Sequence, residues 1–452
     1  MRRQRPDLVR EYEAEIERAE HIRTALTTGN FPGMGTGDPD LYKAFVWRFW
    51  RLCRKHGTIG IVLPRSVFAT KGSAPWRQEV LPNADVRIVL TKNKAEWLFT
   101  DVNPGYSICL VGITKNPLAP SLSLRGTYTD AQTFREGMQV ASTALPVDRL
   151  GEVDPLLCVP AIEDQEGLRL FNTLIEHPSL GNVDRPDFRV LPTAELHATK
   201  HGKLYFTGDA NDHPVHNHLN MGHYRFEPNA GAFNYACYKR VVGDLQAQRI
   251  KLSRRADSVF SHMPQKWIRD ETTLPAANPR IAFRDVIHAS NPRKVWATLV
   301  PARTLLTNKA PYLVFPRGGL TTQAYLLGVL GSSTCDWYGH LRVVLNLNYF
   351  ILNALPVPVF HPADPRCQRI AELAARIATG TGSREYGDWT SFGAGISDPC
   401  DIDAALAELD ALATLLYGIG DEHVDLIFNR ATRPSRDEID TWRVKWIAQM
   451  AL

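Results

Sequence analysis

The sequence reads as an α/β protein: its first quarter supplies part of an open sheet, its middle is irregular, and its end is helical. Three observations carry that reading. Residues 41 to 113 run helix, strand, helix, strand, strand, with short Val- and Ile-rich strands, as in the second half of an α/β sheet. Residues 185 to 315 mix short strand-like runs with many His, Pro and Asn. Past Pro358 the apolar spacing turns helical and Ala-rich. These set three expected regions, 1 to 120, 121 to 360 and 361 to 452.

Each element has a local cause. Residues 7 to 26 are rich in Glu, Arg and Ala, hold no Gly and follow a proline, which predicts an exposed helix with intermittent Leu, Ile and Tyr contacts. Asn30 to Pro39 is a Gly/Pro loop, with Asp38 placed to cap the next helix and Pro39 suited to its first turn. That helix is expected from about Leu41 to Lys55, because Leu41, Phe45, Phe49 and Cys53 recur at four-residue spacing and Gly57 can end it. Thr58 to Leu63 has the apolar character of a strand buried on both faces of a parallel sheet, closed by Pro64. Asp85 to Leu90 and Tyr106 to Ile113 are two further strands. From about Pro117 the texture shifts to Pro, Thr, Ser and Gly, until Leu156 to Pro160 and a helix over Asp164 to Glu176. Leu320 to Leu330 and Cys335 to Leu341 read as helices, and so do residues 364 to 379, 401 to 417 and 434 to 450.

Composition narrows the class. At 452 residues, with 44% hydrophobic and 22% charged residues, the chain can fill two or three cores. No run approaches the ~18 apolar residues of a membrane span. The basic start leads into a charged helix rather than an apolar signal core, which argues against export. Seven cysteines without a Cys-x-x-Cys pair fit free thiols in a reducing cytoplasm. Net charge is only +4, but between Lys239 and Arg255 six basic residues face one acid, Asp244. Such an excess can neutralise phosphates, or it can be a solvated helix face.

Histidines give a second signal. His213, His216, His218 and His223 lie close together, with Asp209, Asp212 and Glu227 nearby. His216-x-His218 places two imidazoles on one face of a strand, half of a metal site for a nuclease or hydrolase. Interleaved Asn, Pro and Gly favour the other reading, a loop or DNA contact without metal.

Longer motifs carry a resemblance. Ala324-Tyr-Leu-Leu-Gly-Val-Leu-Gly-Ser-Ser333, then Asp336-Trp-Tyr338, then Leu347-Asn-Tyr-Phe-Ile-Leu-Asn-Ala-Leu-Pro-Val-Pro358 resemble the DNA-recognition region of large bacterial N6-adenine DNA methyltransferases. Gly37-Asp-Pro-Asp-Leu-Tyr-Lys-Ala-Phe45, Gly60 to Phe68, Thr70-Lys-Gly72 with Trp76-Arg77, and Asn93 to Leu110 resemble the later motifs of the γ-arranged members found in type IIG and phage-defence systems of the BREX or DISARM kind. Glu195 to Lys200 and Arg284 to Arg293 are similar to connecting and recognition elements, and Val300 to Arg303 and Thr307 to Lys309 resemble the edge that leads into the Ala324 motif. Leu415-Leu-Tyr-Gly418 is similar to the family's closing helix.

The resemblance implies the distal half of a Rossmann-like methyltransferase sheet, a mixed α/β target-recognition domain and a helical tail. It implies S-adenosylmethionine as methyl donor, double-stranded DNA as substrate and methyl transfer to adenine N6. By the same resemblance Phe99 stacks a flipped base, with Trp97 or Tyr106 as substitutes, because the duplex hides the amino group. Leu41, Tyr42 and Phe45 fall where the family lines its donor pocket. Lys71, Arg284, Arg293, Arg303 and Lys309 offer phosphate or guanine contacts, and Asn291, Asn308 and Asn348 offer adenine contacts. The family's glycine-rich donor loop and Asn-Pro-Pro-Tyr tetrapeptide have no counterpart ahead of Leu41. Gly33-Met-Gly35-Thr-Gly37 follows no strand, and Asn103-Pro-Gly-Tyr106 comes too late and reads as a turn. The expectation is therefore a methyltransferase that needs an N-terminal partner polypeptide or another defence-system subunit and is inactive alone. The alternatives are a non-catalytic DNA-specificity subunit and a His-cluster metal nuclease.

Overall fold

The structure is a computed structural model that describes residues 5–28, 31, 34, 37, 39–287, 291–380, 384–428 and 434–451. Gly33, Gly35 and Asp38, from the expected glycine loop and helix cap, lie outside the described residues. The chain forms two compact units, one up to Leu168 and one from Arg169.

The first unit is built on a five-stranded sheet: β1 (Thr58–Pro64), β2 (Ala84–Lys92), β3 (Ser107–Lys115), β4 (Ser121–Tyr128) and β5 (Thr143–Ala144). The spatial order is β1-β3-β2-β4-β5. β1 and β2 each pair antiparallel with β3, and β2 pairs parallel with β4, so β1, β2 and β4 run the same way. β2 and β3 match the expected strands. β1 corrects its expectation: it is a sheet edge with one antiparallel neighbour among the described residues, and Val62 is 52% exposed. An apolar run records the absence of charge, not the number of strands that flank it. β4 lies in the Pro-, Thr-, Ser- and Gly-rich stretch that starts near Pro117, where no particular strand was expected. Its signal is the alternation Ser121-Leu-Ser-Leu124, which buries Leu122 and Leu124.

Around this sheet lie α1 (Pro6–Thr27), α2 (Leu41–Leu52), α3 (Ser66–Ala69), α4 (Ala74–Val80), α5 (Ala131–Gly137) and α6 (Val147–Val153). Leu26 is the buried residue of α1, so that helix is exposed as expected. α2 buries Ala44, Val46, Trp47 and Trp50, whereas Leu41, Phe45, Phe49 and Leu52 face outward. The Lys115 ammonium closes its end, donating to the Trp50 and Cys53 carbonyls at 2.8 and 3.2 Å and standing 4.5 Å from the Trp50 ring.

The second unit holds two sheets. One is ordered β6-β13-β10-β11-β8 (Arg189–Thr193, Tyr312–Arg317, Arg280–Phe283, Ala297–Val300, Tyr224–Arg225) and the other β12-β7-β9 (Leu305–Leu306, His213–His216, Asn234–Ala236). The helices continue with α7 (Gln165–Ile175), α8 (Gly202–Tyr205), α9 (Tyr238–Leu252), α10 (Gln265–Arg269), α11 (Leu320–Gly331), α12 (Ser333–Arg342) and α13 (Tyr349–Asn353). The tail is α14 (Pro365–Ala378), α15 (Pro399–Leu416), α16 (Asp421–Phe428) and α17 (Arg436–Met450). Overall this is a mixed α/β protein with three mixed sheets and C-terminal helices. No described helix is long and apolar enough to cross a membrane.

α11 and α12 are nearly enclosed, which explains their glycines. A Cβ at Gly328 would strike Ile370, and one at Gly331 would strike the Tyr224 ring. The Leu-Pro-x-Pro stretch is held from three sides. Tyr325 and Tyr417 donate to the Pro358 and Pro356 carbonyls at 3.1 and 2.7 Å, and Arg185 donates to the Val357 carbonyl at 2.8 Å. Arg185 also pairs with Asp187 at 2.8 Å, both side chains being buried.

Candidate functional site

In open α/β sheets, ligand sites gather beyond the carboxyl ends of the parallel strands, where loops leave the scaffold. Here that edge carries Arg65 and Ser66 after β1, the loop 93–106 after β2, and Thr129 and Asp130 after β4. The loop is organised by Asn93, which has no solvent exposure. Its amide donates to the Phe99 and Val102 carbonyls, each at 2.8 Å, and its oxygen accepts from Leu98 and Phe99 N–H at 3.2 and 3.0 Å. Ala95, Glu96 and Asp101 have φ of 54°, 55° and 64°, a region that costs non-glycine residues roughly 1–3 kcal/mol each. Strain held by a buried amide thus presents Phe99, which is 37% exposed.

The two substitutes differ from it. Trp97 is braced, its indole N–H donating to the Lys92 carbonyl at 2.8 Å and its ring 5.9 Å from Phe134. Tyr106 is 55% exposed and ends the turn 103–106, where its N–H donates to the Asn103 carbonyl at 3.0 Å. Asn103-Pro-Gly-Tyr106 is thus a turn, as its dipeptides indicate.

Tyr42 reaches the same sheet edge, where its hydroxyl accepts from Ser66 Oγ at 3.2 Å. Leu41 and Phe45 stand on the open side of α2, 59% and 53% exposed. Lys71 is exposed in the turn after α3. Its neighbour in the motif, Arg77, is fully buried and clamps the backbone, donating to the Val67, Thr70 and Leu156 carbonyls at 2.8, 2.9 and 3.0 Å.

The second unit gathers another set of the expected residues. The Lys309 ammonium lies 3.0 Å from Asp285, whose carbonyl accepts from Leu347 N–H at 2.9 Å, beside exposed Asn348. Arg284 donates to the Met221 carbonyl at 2.8 Å and stacks 4.5 Å over Trp296. Two residues of this cluster were not anticipated as partners. Tyr349 has its pKa pushed up to about 12 by burial and by the Asp285 charge, which makes it a weaker acid. His218 is held below the usual imidazole range by burial, with the charges of Arg284 and Lys309 adding to it.

Other expected contacts point elsewhere. Arg293 donates to the Gly331 and Ser332 carbonyls at 2.6 and 3.0 Å, at the α11 terminus. Asn308 accepts from Ala198 N–H at 3.1 Å. Arg303 is exposed, with φ of 58° and its guanidinium 5.3 Å from the Tyr238 ring. Asn291 lies partly buried beside Lys294, whose ammonium donates to its carbonyl at 3.1 Å.

The histidines disperse. His213 packs on Tyr238, His216 meets Phe226 edge-on, and His223 is buried against the Gly331 carbonyl at 2.7 Å. Among the described residues, no group of three or more His, Cys, Asp or Glu side chains is placed to hold a metal ion. A two-residue spacing aims side chains to one face only while the strand persists, and β7 ends at His216.

No protein-family model and no curated protein matches this sequence. Among solved structures, the chain is similar to the type IIL restriction-modification enzyme MmeI in complex with DNA, at 10% identity and a TM-score of 0.43, over 86% of this chain and 51% of that one. It is also similar to the type IIG restriction endonuclease BpuSI, at 11% identity and 0.32, over 91% and 52%. A DrdV–DNA complex matches at 13% and 0.39, over 78% and 41%. The chain spans about half or less of the length of these structures.

Proposed function

We propose that this chain is the DNA-choosing, base-presenting part of an adenine-N6 DNA methyltransferase in a restriction-modification or phage-defence system. The observation that carries the reading is Phe99: an exposed ring on a strained loop, locked by buried Asn93 at the carboxyl edge of parallel strands. An unstacked base needs such a ring to replace its lost stacking partners. The motif order supports the assignment, and the Arg284, Lys309 and Asn348 cluster supplies cations and an amide for a duplex.

S-adenosylmethionine is the donor that the family resemblance implies. Among the described residues, the three expected to line its pocket do not enclose it: Leu41 and Phe45 are open to solvent and Tyr42 is bonded to Ser66. Donor binding and the N6-polarising tetrapeptide are therefore assigned to a partner segment. The open side of β1 and the apolar outer face of α2 offer it a strand edge and a packing surface. The same misfit supports a second reading, a DNA-specificity subunit without catalysis.

The purified chain is expected to bind duplex DNA in a salt-sensitive way and to transfer no labelled methyl group alone. Absence of DNA binding at low salt defeats both readings, and robust transfer by the isolated chain defeats the partner assignment. Phe99→Ala separates the two: it abolishes transfer in a reconstituted enzyme and leaves a pure specificity subunit unchanged.

A further inference from the structure

One segment of the second unit is locally basic. Residues 239–271 hold eight Lys and Arg against four Asp and Glu, out of 52 and 48 in the chain, so 44 of each sign remain elsewhere. This segment comprises α9, α10 and the turns between and just after them. Lys251, Arg254, Lys266 and Arg269 are exposed, while Arg255 is paired with Asp257 at 2.8 Å. Of the acids, Asp270 is engaged with Thr272, accepting from its N–H at 3.0 Å and its hydroxyl at 2.6 Å.

Beside α10 opens a groove of about 410 Å³, walled by Trp267 and Phe315 and edged by Asn278 and Gln323. That volume falls within the range that holds small flat ligands. Trp267 is fixed in place, with the Arg249 guanidinium 4.6 Å from its ring and Phe260 at 6.5 Å. The polar atoms at the rim are the informative part. Asn278 uses its NH₂ on the Thr272 and Leu274 carbonyls, at 2.6 and 3.0 Å, which leaves its side-chain oxygen as an acceptor. The Gln323 amide and the Trp267 indole N–H have no hydrogen-bond partner among the described residues. An aromatic wall with unmatched donors and acceptors at its rim complements the edge of a heteroaromatic base. A base stacked within a duplex cannot enter a concave site, so the ligand has to be unpaired.

We infer that this groove holds an unpaired DNA base, whose strand runs its phosphates along the basic surface of α9 and α10. The inference is independent of the methyl donor and of Phe99. It adds a single-strand contact to the duplex contacts proposed above.

The test is fluorescence anisotropy of the full chain with a short labelled oligodeoxyadenylate at low salt. Trp267→Ala and Gln323→Ala are each expected to weaken binding about tenfold, the usual scale for losing one base contact. An abasic oligomer with the same phosphate count should bind wild type as weakly as the normal oligomer binds the variants. Gln323→Ala removes no internal hydrogen bond, so it tests the site even if Trp267→Ala fails to fold. Equal binding by wild type and Gln323→Ala, or equal binding of normal and abasic oligomers, overturns the base pocket. Tighter binding of oligoriboadenylate overturns the assignment to DNA. Duplex binding and its reduced salt slope in Lys309→Ala is a separate readout, so failure of the methyltransferase reading leaves this result interpretable.

Discussion

Asn93 and Phe99 are joined through both peptide groups of the aromatic: the Asn93 amide donates to the Phe99 carbonyl at 2.8 Å and its oxygen accepts the Phe99 N–H at 3.0 Å. Asn93→Ala leaves four buried or strained backbone groups to find new partners, and is expected to cost about 2–3 kcal/mol. Phe99→Ala, on a ring already 37% exposed, should cost less than about 1 kcal/mol. Urea denaturation of both variants checks this order. A larger loss for Phe99→Ala would mean that the ring is a core residue and not a presented one.

The Pro-x-Pro stop makes a second prediction. Tyr417→Phe deletes one hydrogen bond, to the Pro356 carbonyl, and should cost about 1 kcal/mol. Arg185→Met leaves Asp187 buried without its cation and should cost about 3–5 kcal/mol. Double substitution of Arg185 and Asp187 by apolar residues should recover part of that loss, as measured by the denaturation midpoint.

DNA affinity should fall linearly in logarithm with the logarithm of salt concentration. Lys309→Ala should reduce that slope by about 0.9 if its ammonium meets one phosphate of the duplex. Arg293→Ala should leave the slope unchanged but lower stability, because its guanidinium is committed to the Gly331 and Ser332 carbonyls. A filter-binding or anisotropy series from low to moderate salt distinguishes these outcomes.

His223 carries a pH prediction. Burial and then the nearby Arg293 charge bring its pKa down to about 3, against the opposing hydrogen bond to the Gly331 carbonyl and the Asp336 charge. The folded state therefore binds fewer protons than the unfolded state between about pH 3 and the unfolded imidazole value of about 6.5. Stability from this group is fully present above about pH 6.5 and is lost as pH falls toward 3. The total is on the order of a few kcal/mol. His223→Gln should flatten the fall of the thermal midpoint across that window, and an unchanged profile would refute the assignment.

The legible part of this protein was local. The helix expected from about Leu41 to Lys55 forms over Leu41–Leu52, and the Val- and Ile-rich runs of β2 and β3 and the turn at Asn103 to Tyr106 follow from neighbouring residues. Phe99 was named from motif order, and the structure finds it exposed at the sheet edge where ligands gather. Arg284, Lys309 and Asn348 were named singly among other contacts; their grouping, with His218 and Tyr349, comes only in three dimensions.

What the fold alone decided concerns where side chains point and how many neighbours they have. The same apolar letters that suggested a doubly buried strand at Thr58–Pro64 belong to an edge, because pairing partners come from distant sequence. Arg293 was read as a DNA contact and Arg77 only as part of a motif, yet each satisfies backbone carbonyls far along the chain. Asn93 was quoted only as the start of a motif, and burial with four backbone partners makes it the anchor of Phe99. Charge and apolarity are written residue by residue; burial and hydrogen-bond completion belong to the packed chain.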